Sequence, residues 1–243
     1  MPTRSPYTET YYDRHGLAGD RIALWFYARL VRRLRPRGGR LLDFGCGTGH
    51  LLKRLSEHFE AYGYDASPEA RSVCRLTAPD AVVLEEWESL PAQHFDAIVS
   101  LHTLEHLPHP RPVMEQLARR LTPGGLFLFV VPNPGGIGHR MKGRKWFAYR
   151  DPTHVSVLSR GEWLTLARRL GLSVLWVRGD GMWDAPYLPL VTLEAAGIPL
   201  DPSFAEQKKI LRRCSGVFYH CNEGAEARRF NRLLIDAGLI KGL

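Results

Sequence analysis

Cysteine is scarce in this chain: 243 residues hold four, Cys46, Cys74, Cys214 and Cys221, and no two of them form a C-x-x-C pair. That excludes a small disulfide-stapled scaffold, and reduced thiols are the expectation. Long apolar runs are missing too, since none approaches the roughly 18 residues of a membrane-spanning helix. The opening MPTRSP leads into a polar, tyrosine-rich stretch rather than an apolar h-region, so the expected location is the cytoplasm. No internal repeat and no low-complexity linker interrupts the chain. What is present is an ordinary globular composition, 44% hydrophobic and 24% charged, enough to bury one full core with additions. The formal charge is +8, with arginine concentrated at 29–40 and 139–150. A solvated helix face accounts for the first cluster. The second is aromatic as well as basic and leaves an anionic partner such as RNA open.

Short apolar runs alternate with helical periodicity along the first 178 residues. DRIALWFYARLVRRL (20–34) places apolar residues at helical spacing behind Asp20 and ends before Pro36, which predicts a leading helix. GRLLDF (39–44), AYGYD (61–65), AVVL (81–84), FDAIVSL (95–101) and GGLFLFVV (124–131) read as buried strands. Helices are expected at about 49–59, from Ser67 with Pro68 at its first position, at 110–121, and after Ser159. A further strand is expected at LSVLWV (172–177). Strands alternating with helices predict an α/β fold with a mostly parallel, doubly wound sheet covered on both faces. The connection 132–158 is too long and too rich in Gly and Pro for a routine turn and reads as a lid. Beyond 179, helices are expected near 187–196, 203–213 and 223–236, with GVFYH (216–220) as a last strand. The organisation expected is an N-terminal lid and helix (1–36), a central domain (37–178) with its lid insertion, and a C-terminal extension (179–243).

LLDFGCGTGH (41–50) follows the first strand and packs three glycines into ten residues. A glycine bend between a strand and a helix lets backbone N–H groups approach a ligand, and an acid ending the second strand suits ribose hydroxyls. Asp65 lies twenty residues after Gly45. The dinucleotide pattern G-x-G-x-x-G fails, because its third glycine falls on His50. The spacing present is G-x-G-x-G (Gly45, Gly47, Gly49) preceded by Asp43.

With these segments together, residues 10–178 resemble a class I S-adenosylmethionine-dependent methyltransferase, closest in pattern to the bacterial group with LEHL after the fourth strand, which includes ubiquinone-pathway O-methyltransferases. The residues carrying the likeness are LLDFGCGTGH, YGYDASPEA, EEWESLP, FDAIVSLHTLEHLPHP and LTPGGLFLFVVPNP. The resemblance implies a Rossmann-like sheet of seven strands and S-adenosylmethionine as cofactor, leaving as S-adenosylhomocysteine. It places Asp43, Gly45, Cys46 and Gly47 against the methionine part, Asp65 and Ala66 at the ribose, and Glu86 and Trp87 beside adenine. Ser100 to His102 fall beneath the sulfonium.

Methyl transfer needs an acceptor lone pair aligned behind the methyl group, water excluded, and a base if the acceptor is a hydroxyl. His154, in RDPTH, and His102, directly after the fourth strand, are the candidate catalytic residues, with Glu105 and His106 close in sequence. Some members of this lineage carry Glu-x-x-Glu-His with a later His and bind a divalent metal there. This chain has His102-x-x-Glu105-His106 and His154, a set better suited to zinc or iron(II) than to magnesium; the residues alone leave the metal open. The expected acceptor is an oxygen or nitrogen atom of a small or medium-sized metabolite. Trp146, Phe147 and Tyr149, with Tyr7, Tyr11, Tyr12, Trp183 and Tyr187, either line its pocket or bury as core, and Arg144, Lys145 and Arg150 leave room for an acidic substituent. Two alternatives stand beside this one: an RNA methyltransferase using the clusters at 29–40 and 139–150, and a protein that binds the cofactor without transferring methyl.

Overall fold

Alternation of strand and helix is what the computed structural model displays over the residues it describes, which are 20, 22–88, 90–136, 139–140, 143–175 and 177. The order is α1 (Ile22–Leu34), β1 (Arg40–Phe44), α2 (His50–Ser56), β2 (Glu60–Tyr64), α3 (Pro68–Thr77), β3 (Val82–Val83) and β4 (Phe95–Leu101). A 3₁₀ turn (Leu104–His106), α4 (Pro110–Arg120), β5 (Leu121–Val130), a second 3₁₀ turn (Gly143–Lys145), α5 (Phe147–Arg150) and α6 (Arg160–Arg169) follow. The residues fall into two compact units. The first takes in 22–132, 153–157 and 166–172; the second takes in 133–152, 158–165 and the described residues from 173 on.

Within the first unit five parallel strands lie in the order β3-β2-β1-β4-β5. β1 is central, and Leu41, Leu42, Asp43 and Phe44 are all buried. That double-sided burial is why its sequence is a continuous apolar run rather than an alternating one. α1 buries one stripe, Ala23, Leu24, Tyr27, Ala28 and Val31, at the spacing one helix face requires. α3 starts as expected: Ser67 is its N-cap, its hydroxyl accepts from the Ala70 N–H at 3.2 Å, and Pro68 opens the helix. α6 begins at a capping box, the Ser159 N–H donating to the Glu162 carboxylate at 2.7 Å and the Glu162 N–H to the Ser159 hydroxyl at 3.3 Å.

Two expectations change. The sheet has five strands among the described residues rather than seven. The strand expected at 172–177 is irregular chain where it is described: Leu172 turns back so that its N–H donates to the Ala167 carbonyl at the end of α6, using a donor that a strand ladder needs. GVFYH, the three C-terminal helices, and Tyr7, Tyr11, Tyr12, Trp183 and Tyr187 lie outside the described residues.

The strand order reverses at β1: the chain steps outward to β2 and β3, then returns to β4 on the other side. Crevices at the carboxyl ends of strands flanking such a switch point are where open α/β sheets take ligands.

Candidate functional site

The bend after β1 leaves the sheet through Gly45, Cys46 and Gly47, with Gly45, Gly47 and Gly49 all at positive φ (85°, 51° and 86°). A side chain is excluded at Gly45 by the protein itself: a Cβ there would stand 2.0 Å from the Thr103 hydroxyl oxygen. At Gly49 it would meet the Cys74 sulfur at 2.7 Å. Cys46 and Cys74 are free thiols, both buried, with sulfurs 3.8 Å apart; the hydrogen bond to Cys74 first, and burial second, push the Cys46 thiol well above its usual range. Neither Thr103 nor Cys74 announces this contact in the sequence, because each meets the bend only through the fold.

Asp65 follows β2 and is buried. Its carboxylate accepts from the Gly47 N–H and from the Ser67 N–H, each at 2.9 Å, so the acid singled out in the sequence braces the glycine bend against the start of α3. Asp43, one residue before the end of β1, is 2% exposed, and its Oδ2 atom has no hydrogen-bond partner among the described residues. Burial first, and the neighbouring Asp65 charge second, raise its carboxyl from the ordinary range to about 7. Ser100, near the end of β4, is fully buried with its hydroxyl likewise unpartnered. Buried polar atoms left in this way need an explanation such as a ligand or ordered water.

The adenine-side pair divides. Glu86 is exposed. Trp87 is buried in an aromatic cluster, 5.0 Å from the Phe44 ring and 6.3 Å from Tyr64, with the Arg120 guanidinium 4.9 Å from its own ring centre. Ala66 is exposed beside Asp65.

After β4 the chain turns through His102, which has φ 53° and donates its N–H to the Val130 carbonyl. This left-handed conformation is uncommon for a residue with a side chain. The His102 Nδ1 lies 3.0 Å from Glu105 Oε1. Glu105 is fully buried, and its Oε2 has no partner among the described residues. His106 Nδ1 meets the carbonyl and the hydroxyl of Thr153 at 3.2 and 3.0 Å. The Ser156 N–H donates to the Glu105 carbonyl, and the Ser156 hydroxyl to the Leu107 carbonyl. This stitching carries His154 to His106, ring centres 4.6 Å apart. One potential ligand atom from each of Glu105, His106 and His154 falls within a 4.8 Å set. All four residues named from the sequence after β4 and in RDPTH are thus brought together; Thr153 and Ser156, which do the joining, carried no sequence signal.

In the second unit Trp146 is 1% exposed. Its ring lies 5.3 Å from His139 and 5.4 Å from Tyr149, so of the two readings of WFAYR Trp146 follows the core one. Tyr149 is half exposed, and Arg144, Lys145 and Arg150 are exposed. In the first unit the arginines of 29–40 are largely engaged. Arg32 pairs with Glu57, Arg35 with Asp96 and Arg40 with Glu60, while Arg29 stands over Trp25. These contacts account for the cluster as a solvated, ion-paired face.

Comparison with known proteins gives a consistent set of likenesses. A family model described as a methyltransferase domain matches residues 19–177. A ubiquinone biosynthesis O-methyltransferase of Xanthomonas axonopodis pv. citri is 36% identical over 106 residues, 40% of this chain and 44% of that protein. The protein of the same description from Klebsiella pneumoniae is 32% identical over 108 residues, 41% and 45% of the two chains. The chain therefore matches less than half the length of these curated relatives. Among solved structures, a SAM-dependent methyltransferase from Archaeoglobus fulgidus superposes with a TM-score of 0.54 at 20% identity, over 68% of this chain and 74% of that one, a likeness of fold. No helix among the described residues is long and apolar enough to cross a membrane.

Proposed function

Because the chain belongs to the methyltransferase-domain family, whose model spans residues 19–177, we propose that it transfers the methyl group of S-adenosylmethionine to an oxygen or nitrogen atom of a small or medium-sized metabolite by in-line displacement. The observation that carries this reading is the pair of buried, unpartnered polar atoms, Asp43 Oδ2 and Ser100 Oγ, at the carboxyl ends of the two strands flanking the switch point. The cofactor brings a ready-made leaving group. The chain's own residues hold it: the Gly45, Cys46 and Gly47 backbone and Asp43 face its methionine part, Asp65 and Ala66 its ribose, and Glu86 the adenine edge, with Trp87 as the wall behind Phe44 and Tyr64. Ser100 and His102 lie under the sulfonium. The base that takes the acceptor's proton is His154 or His102, both in the group joined through Glu105 and His106.

Calorimetry with S-adenosylmethionine and S-adenosylhomocysteine tests the reading directly. Both are expected to bind at micromolar or tighter concentrations, about −8 kcal/mol or better. A folded sample giving no heat with either compound removes the proposal. The acceptor is then found by offering cofactor labelled in its methyl group together with phenolic, carboxylic and amine metabolites.

A second reading is favoured by one observation, the convergence of Glu105, His106 and His154. The fit to a divalent cation is good. Thr153 holds His106 through Nδ1, as in sites where a second partner orients a ligating imidazole, and the buried Glu105 Oε2 would supply an anionic oxygen. Zinc or iron(II) suits this donor set, and when bound supplies a Lewis acid for the acceptor oxygen. Elemental analysis of tag-free protein is expected to find about one equivalent on this reading, and metal-free protein indifferent to chelators overturns it.

A further inference from the structure

We propose that cofactor uptake expels one proton from Asp43, so that the cofactor is held more tightly as the medium passes from mildly acidic to neutral. This rests on the reading of the site as one for S-adenosylmethionine and adds to it a coupling between occupancy and protonation.

Asp43 and Asp65 are unequal. Asp65 accepts two backbone N–H bonds, from Gly47 and Ser67, and such donors favour the ionised carboxylate. Asp43 stands on the central strand of the sheet, in register with Gly63 of β2 and Val99 of β4, 2% exposed, with no donor at Oδ2. Neither neighbour in the ladder offers a charge. The ionisable group that acts on it is Asp65, from the end of β2; the Cys46 thiol in the bend is itself raised by Asp43. On β4 the next residue, Ser100, is neutral, and no cation among the described residues appears among the influences on Asp43. A second negative charge at Asp43 would be desolvated, unpaired and close to the first. Below neutral pH these surroundings keep a proton on Asp43, consistent with a carboxyl raised to about 7.

The cofactor reverses each condition. It carries an ammonium and a sulfonium, and its methionine part is the one assigned to the backbone following Asp43. An ammonium beside the carboxylate supplies both the missing donor and the missing opposite charge, so the bound state favours the ion. The balance is simple: the protonated carboxyl and the ammonium of the ligand's amino-acid part, which S-adenosylmethionine and S-adenosylhomocysteine share, give the carboxylate ion-paired with that ammonium, and one proton goes to solvent. Asp65 and the neutral Cys46 thiol keep their protonation.

Calorimetric titration of the intact protein with S-adenosylhomocysteine at pH 6, in buffers of low and high ionisation enthalpy, reads the proton directly. The slope of observed heat against buffer ionisation enthalpy is expected to show release of about one proton, falling toward zero above pH 8. Over the same range the dissociation constant is expected to tighten by up to about tenfold per pH unit below 7 and then level off. Asp43→Asn, checked for folding by its thermal transition, is expected to remove the proton release. Binding heat independent of buffer at pH 6, or release that persists in a folded Asp43→Asn protein, overturns the inference while leaving the cofactor reading intact. If that variant does not fold, a dissociation constant of the wild type that stays flat from pH 5.5 to 7.5 overturns it equally. Absence of any heat points instead to failure of the cofactor reading.

Discussion

At the scale of single residues, Asp43 has a consequence for the protein without any ligand. Its carboxyl is raised from roughly 3.9, the unfolded value, to about 7 in the folded chain. The folded state then binds more protons than the unfolded state between those values, so stability falls as pH rises through the window from about 4 to about 7 and is flat above it. Asp43→Asn removes the charge that must be buried. It is expected to raise neutral-pH stability by on the order of 2 kcal/mol and to leave stability near pH 4 little changed, as read from urea midpoints at the two pH values. Asp43 and Asp65 were both legible in the sequence, the first because it stands just ahead of the glycine bend and the second because it closes the next apolar run. Their unequal hydrogen bonding was not, since Gly47 reaches Asp65 only once β1 and β2 lie side by side. Trp87 shows the other side of this: nothing in EEWESLP foretells that its ring meets Phe44, Tyr64 and Arg120.

At the scale of elements, start signals were the most readable feature. Ser67 with Pro68, and Ser159 with Glu162, open α3 and α6 where the capping chemistry places them. Ser67 does more than cap, since its own N–H is bound to Asp65. Ser67→Ala is expected to cost about 1 kcal/mol through the lost cap, with cofactor affinity retained because the N–H remains; equilibrium unfolding and calorimetry measure the two separately. β3 shrinks from the four residues of AVVL to Val82–Val83, and the strand foreseen at 172–177 is not formed where the chain is described. Apolar runs of this length fit a strand or an irregular buried segment equally well, and which they become depends on whether a neighbouring strand offers its free edge. The connection at 132–158 was legible as an interruption, but the attachment of its last part was not. Thr153 and Ser156 tie down its last part through bonds to residues 47 to 49 positions away, a separation no local pattern carries.

At the scale of the whole molecule, the positive charge is less available than its total suggests, since Arg32, Arg35, Arg40, Arg71 and Arg75 all meet carboxylates. The division into units has its own result. The first unit is assembled from three stretches of chain, 22–132, 153–157 and 166–172, which alternate along the sequence with stretches of the second. A product ending at 132 keeps all five strands yet forfeits Thr153 and Ser156, leaving the peptide carbonyls of Glu105 and Leu107 without the donors they have in the intact chain. Expression of 20–132 is expected to give insoluble or molten material, whereas 20–172 yields a cooperative thermal transition. The smallest autonomous piece of this protein is thus set by its weaving rather than by its sheet.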